Sequence, residues 1–176
     1  MNIHASLLHD VVRELIDENP FACRALLQVV SVDWSTQVST AAVSCGARPW
    51  LGVNPDFVQQ HCRTEEELKA LLCHEFLHVL LRHTEGSGPR GPAQHIAWDA
   101  VINAIIHRTL GPAYSALMQH YYARETGIRR ILRPPLEDEL GNISARARLK
   151  GGHSLQLIWS AWEGLYRSGR LVADDI

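Results

Sequence analysis

Long apolar runs are missing from this 176-residue sequence. None approaches the roughly 20 residues that span a bilayer, so no membrane-crossing helix is expected. Charge of one sign is missing too: seventeen Lys and Arg stand against nineteen Asp and Glu, a formal net charge of −2. That balance removes the global electrostatic case for nucleic acid or an anionic membrane as partner. Cysteine is sparse, and Cys23, Cys45, Cys62 and Cys73 form no CxxC pair and no metal-ligand spacing. A disulfide framework is therefore not expected, and reduced buried thiols in a cytoplasmic protein are. The stretch Met1 to Asp10 has neither a basic segment nor a long apolar one, which argues against a signal peptide. Repeats and low-complexity tracts are absent as well.

What is there suits an ordinary globular chain. With 46% hydrophobic and 20% charged residues, residues 1–176 can bury a core as one domain without staples. Ser6 to Glu18 carries Leu7, Leu8, Val11, Val12, Leu15 and Ile16 at helical spacing, and Asn19-Pro20 ends that helix. A short helix over Phe21 to Gln28 follows. Val38 to Ser44 and Arg48 to Val53 read as strands of a hairpin that turns at Cys45-Gly46-Ala47 and closes at Asn54-Pro55. The exposed edge of the second strand would suit an extended peptide.

A capping box opens the next helix. Thr64 is the N-cap and Glu67 the reciprocal acid three residues on, with Glu65 and Glu66 at the positive helix end. The helix runs to about His83, with Leu68, Leu71, Leu72, Val79 and Leu80 inward. After the Gly- and Pro-rich loop Glu85 to Pro92, a strongly apolar helix covers Ala93 to Thr109 and stops at Gly111-Pro112. Ala113 to Arg124 is helical, with Tyr114, Leu117, Met118 and Tyr121 inward. Arg133 to Gly152 is irregular, and Arg146, Arg148 and Lys150 within it read as a solvated loop. Leu155, Ile158, Trp159, Trp162, Leu165 and Tyr166 form a final amphipathic helix with Gly169 at its C-cap.

The chemistry sits on two of these helices. His74-Glu75-Phe76-Leu77-His78 puts two imidazoles four residues apart on one helical face, where they can grip one ion. Glu75 is placed to serve as general base toward a water at that ion. Such an HExxH string is the pattern of zinc-dependent peptide hydrolysis. On the following helix the polar residues His95, Asp99, Asn103 and His107 recur every four positions on an otherwise apolar cylinder. A buried helix must aim such a stripe at water, partners or a metal.

A catalytic zinc takes three protein ligands and leaves one position open. Asp99 is the first candidate for the third ligand, with Asn103 one turn on as a hydrogen-bonding support for a ligating imidazole. His95 is the runner-up, as ligand or as donor to an oxyanion. His83 is a third possibility, but on a continuous helix it points roughly 140° from His78 and 180° from His74. Only a sharp reversal would bring it back, and no glycine lies between His78 and His83. His4, His9, His61, His107, His120 and His153 read as surface or hydrogen-bonded histidines. Cys73 points about 100° from His74 and reads as core.

The order of these parts resembles a known family. Pro20-Phe21, the run from Leu51 to Val58 (LGVNPDFV), Glu66-Glu67-Leu68, the string His74 to His83 (HEFLHVLLRH) and Ala97-Trp98-Asp99-Ala100-Val101-Ile102-Asn103 are similar to the putative metallopeptidase domain of the zincin-like (gluzincin-type) clan, usually associated with von Willebrand A-like domains. The matches run from about residue 20 to 106. The resemblance implies an α+β, mostly helical fold: a zincin-like core at about 20–110, with a small antiparallel hairpin packed on the HExxH helix and the third-ligand helix. A helical extension at about 112–170 would complete the domain. It implies a Zn2+ cofactor held by His74, His78 and Asp99, with Glu75 as base, Asn103 as support, and peptide or protein as substrate. His95 stands where the family more often has an amide. No von Willebrand A-like domain follows, so such a module, or an ATPase partner, is expected as a separate chain if present. The competing reading is a non-catalytic, metal-stabilised binding or regulatory subunit, which a closed four-ligand site including His95 would favour.

Overall fold

The computed structural model describes residues 6–18, 31–44, 48–84, 91–136, 139, 153–170 and 172. The fold is α+β and mostly helical with one three-stranded sheet, and the chain divides into two compact units, Met1–Pro89 and Arg90–Ile176.

In the first unit, helix α1 (Leu7–Glu18) buries Leu7, Leu8, Val11 and Leu15, the spacing its sequence predicts. Strands β1 (Ser31–Trp34), β2 (Ala41–Ser44) and β3 (Trp50–Val53) form a sheet in the order β1-β3-β2. The β2–β3 pair is antiparallel, with Ser44 opposite Trp50 and Ala41 opposite Val53. The turn expected at 45–47 and the helix expected at Phe21 to Gln28 lie outside the described residues. Two corrections follow. The sheet is mixed, because β1 joins β3 in parallel from Ser31–Trp50 to Trp34–Val53. As a result β3 is the central strand, paired on both sides, and has no edge to offer a peptide. Leu51, Gly52 and Val53 are accordingly all buried, as in a covered central strand.

Asn54 ends β3 and also starts a helix that pattern reading missed. Its Oδ1 accepts from the Asp56 and Phe57 amides at 2.8 and 3.3 Å, and Pro55 fills the first helical position of α2 (Pro55–His61). Its amide donates to the Val38 carbonyl at 2.7 Å, tying the cap to the β1–β2 connection.

Helix α3 (Glu65–Leu80) begins at the expected cap, with Thr64 Oγ1 accepting from the Glu67 amide at 3.3 Å. The Glu67 carboxylate reaches one residue further back than a standard capping box and takes the Arg63 amide. Leu68, Leu71, Leu72, Phe76 and Val79 are buried, while Leu80 is half-buried. Helices α1 and α3 pack together. Across that contact the buried Lys69 ammonium meets Glu14 at 3.1 Å and Glu18 at 3.0 Å, which satisfies a cation withdrawn from water.

The second unit is helical. Helix α4 (Pro92–Leu110) starts on Pro92 and buries Ala97, Ala100, Ile102, Asn103, Ala104 and Ile106. Gly111, at φ 92°, turns the chain into α5 (Pro112–Tyr121). There Leu117 and Met118 face inward as expected, but Tyr121 does not, being 41% exposed. A 3-10 turn (Gly127–Leu132) leads to Arg133, and α6 (His153–Trp162) continues as a π-wound turn (Glu163–Ser168) closed by Gly169 at φ 62°. Arg146, Arg148 and Lys150 lie outside the described residues.

Ala100, Ala104, Ile131, Leu132, Ile158, Trp162, Leu165 and Tyr166 make one core cluster of this unit. Side chains from α4, α6 and the π-wound turn pin the successive carbonyls of residues 130–133. The Trp162 indole donates to Arg130 and Arg133, the Tyr166 hydroxyl to Ile131 at 2.8 Å, and the Asn103 amide to Leu132 at 2.8 Å. These bonds give the carbonyls of this stretch side-chain donors, Arg130 accepting from the Arg133 amide as well. Among the described residues no helix is long and apolar enough to cross a membrane.

Candidate functional site

Helix periodicity brings His74 and His78 onto one side of α3, since Leu72, Phe76 and Val79 take the buried side. Both imidazoles are half-buried, with Nε2 facing Nε2 at 3.1 Å and the rings edge-on at 4.8 Å between centroids. A tetrahedral ion bound at the usual zinc–nitrogen distance holds two such atoms about 3.3 Å apart. The pair therefore fits one ion with almost no movement. Glu75 is half-buried beside His74 on the same helix. Cys73 faces the core, and burial pushes its thiol up to about 12; Cys62, buried near Glu67, is raised to about 12 in the same way. Neither offers a thiolate to a metal at neutral pH.

The end of α3 corrects the sequence reading. The helix stops at Leu80 instead of running to His83. Arg82 adopts φ 59°, and the His83 amide donates to the His78 carbonyl at 2.8 Å while the Arg82 amide donates to Val79 at 3.0 Å. This 6→1, 5→2 pair is a Schellman ending with arginine in the left-handed position that glycine usually holds. The reversal brings His83 back, its Nδ1 lying 3.0 Å from His78 Nδ1. Reserving left-handed backbone for glycine made His83 look as if it faced away. The available signal was a polar residue, His83, five positions after His78, where an apolar contact is usual.

In the second unit the polar stripe of α4 is not uniform. His95 is exposed, its ring 5.7 Å from that of Trp98. Asp99 is half-buried one turn on, and Asn103 is buried with its amide on the Leu132 carbonyl. His107 Nδ1 pairs with Ser115 Oγ at 2.7 Å and its ring meets that of Tyr166, while burial lowers its pKa. Asn103 and His107 thus serve the packing of this unit. Asp99 and His95 instead line a cavity of about 530 Å³ with Tyr121, Tyr122, Glu125 and Arg129. Burial, then the Asp99 carboxylate, pushes the Tyr122 hydroxyl above the ordinary tyrosine range, so Tyr122 stays a neutral donor.

Residues 4–125 match the family described as putative metallopeptidase domain. The chain belongs to that family. No curated protein and no solved structure matches it. The span matched to the metallopeptidase domain contains His74, Glu75, His78, His83, His95, Asp99 and Asn103 together. A metallopeptidase family implies a metal cofactor, and His74, His78 and Asp99 are side chains able to hold one.

Proposed function

We propose that this chain is a zinc-dependent peptidase in which His74, His78 and Asp99 hold the ion and Glu75 is the general base. The observation that carries the reading is the pair of imidazoles on α3, His74 and His78, whose Nε2 atoms face each other at 3.1 Å; Asp99 would add the third ligand. Two imidazole nitrogens and one carboxylate oxygen match the three-ligand sites of catalytic zinc, which keep a fourth position open. Family membership points the same way.

When bound, the ion would supply a Lewis acid that lowers the pKa of water and polarises a scissile carbonyl. Glu75, next to the first ligand, takes the proton of the attacking water and returns it to the departing amine nitrogen. His95 and Tyr121 line the cavity that Asp99 borders and serve as donors to the tetrahedral oxyanion. Asn103 acts on the site at one remove: its bond to Leu132 fixes the helix that carries Asp99. The buried, protonated Cys62 and Cys73 suit a reducing, cytoplasmic setting, with peptide or protein as substrate.

The test is Glu75→Gln in zinc-loaded protein offered a peptide library. The variant should keep its metal and lose about 100-fold or more in hydrolysis, the range of a missing general base. Undiminished turnover by Glu75→Gln would overturn the mechanism.

A further inference from the structure

We infer that His83 is a positioning residue that fixes the tautomer and ring orientation of His78. The inference rests on the reading of His78 as a metal ligand.

The geometry begins with the Schellman ending of α3. In that motif the residue two past the cap lies against the third residue before it, ordinarily through an apolar contact. Here those two residues are His83 and His78, joined through backbone at 2.8 Å and through their rings at 3.0 Å between Nδ1 atoms. The ring planes stand 64° apart, with centroids at 5.2 Å. Two Nδ1 atoms at this distance cannot both carry hydrogen, so one donates and the other accepts.

Which one donates follows from the other side of the His78 ring. Its Nε2 faces His74 Nε2 and must present a lone pair to bind an ion there. His78 is then protonated on Nδ1 and donates to His83 Nδ1, which leaves the His83 proton on Nε2. His83 thereby occupies the place that a carboxylate or backbone carbonyl takes behind many zinc-bound histidines. Its Nδ1 is committed to the face of His78 opposite the ion, which excludes that atom as a ligand beside His78 Nε2. The left-handed Arg82 supports the arrangement, because a non-glycine residue keeps such backbone only where the surrounding structure holds it there.

Zinc affinity, measured in the full chain by competition with a chromophoric chelator, tests the inference. His83→Leu should bind zinc about 10–100-fold more weakly, the usual effect of removing the partner behind a ligating imidazole. His83→Gln retains a side-chain acceptor and should recover most of that loss. Arg82→Val keeps the imidazole but resists left-handed backbone, so it should weaken binding as His83→Leu does, whereas Arg82→Gly should match the wild type. Imidazole nitrogen NMR of the zinc-loaded wild type should show His83 protonated on Nε2, a signature that a merely structural side chain would not need. If the wild type itself binds no zinc, the peptidase reading fails. If it binds zinc and folded His83→Leu binds it equally well, or His83 is protonated on Nδ1, the positioning role alone fails. Should His83→Leu not fold, Arg82→Val and the NMR signature decide.

Discussion

Replacing Glu139 by glutamine removes the anion against which a nearly dry guanidinium is held. Arg133 is 3% exposed, and its Nη1 and Nη2 each donate to the Glu139 carboxylate at 2.7 Å. Arg130 Nη2 adds a bond at 2.6 Å and the Leu136 amide one at 3.0 Å. Four donors, led by Arg133, hold the carboxyl down from 4.5 to about 2. That difference corresponds to about 3 kcal/mol of folded-state preference for the charged form. Removing one partner of a buried ion pair independently suggests roughly 3–5 kcal/mol. Glu139→Gln should therefore lower Tm at pH 7 by on the order of 6–12 °C for a chain of this size, read by far-UV circular dichroism. The sign of the pH dependence is fixed. A depressed carboxyl pKa stabilises fully above the unfolded value, and the contribution is lost as pH falls from about 4.5 toward about 2. The wild type should lose stability through that window and the variant should lose less. A Tm change under about 2 °C, set against the 2–4 °C expected per kcal/mol, or equal acid sensitivity of both proteins, would refute the reasoning.

Two further outcomes follow from the first unit. Gly52→Ala should destabilise by about 1–3 kcal/mol in urea unfolding, because a Cβ there collides with the Trp50 ring on the central strand; a neutral result would mean that the ring moves freely. In a Cys23→Ser/Cys45→Ser background, Cys62 and Cys73 should stay unreactive toward a thiol reagent at pH 8 until the chain unfolds, since both are buried and raised to about 12. Immediate labelling of the folded protein would contradict their placement.

Much of the candidate site was legible because its signals are local. The HExxH spacing, the Thr64 cap and the four-residue polar stripe of α4 each depend on one helix, and helical periodicity settles which side chains share a face. What escaped depends on contacts or on unusual backbone. β1 is only four residues long, and its parallel pairing with β3 is fixed by tertiary structure that no alternation encodes. Asn54 was legible as the end of a strand, but the same side chain also caps α2. His83 escaped because left-handed backbone was assigned to glycine alone, whereas Arg82 adopts it. Tyr121 fits an inward stripe by spacing, yet it lies exposed beside the cavity, a placement that spacing on one helix does not predict.

The central claim is that two imidazoles of α3 and the carboxylate of Asp99 share one divalent ion. Its most direct measurement is zinc stoichiometry by elemental analysis after exhaustive dialysis of wild type, Glu75→Gln, His78→Ala and Asp99→Ala. The account predicts one zinc per chain for the first two and substantial loss for the last two, with folding retained by circular dichroism. A wild type free of zinc after loading, or a folded His78→Ala that keeps its full complement, would contradict it.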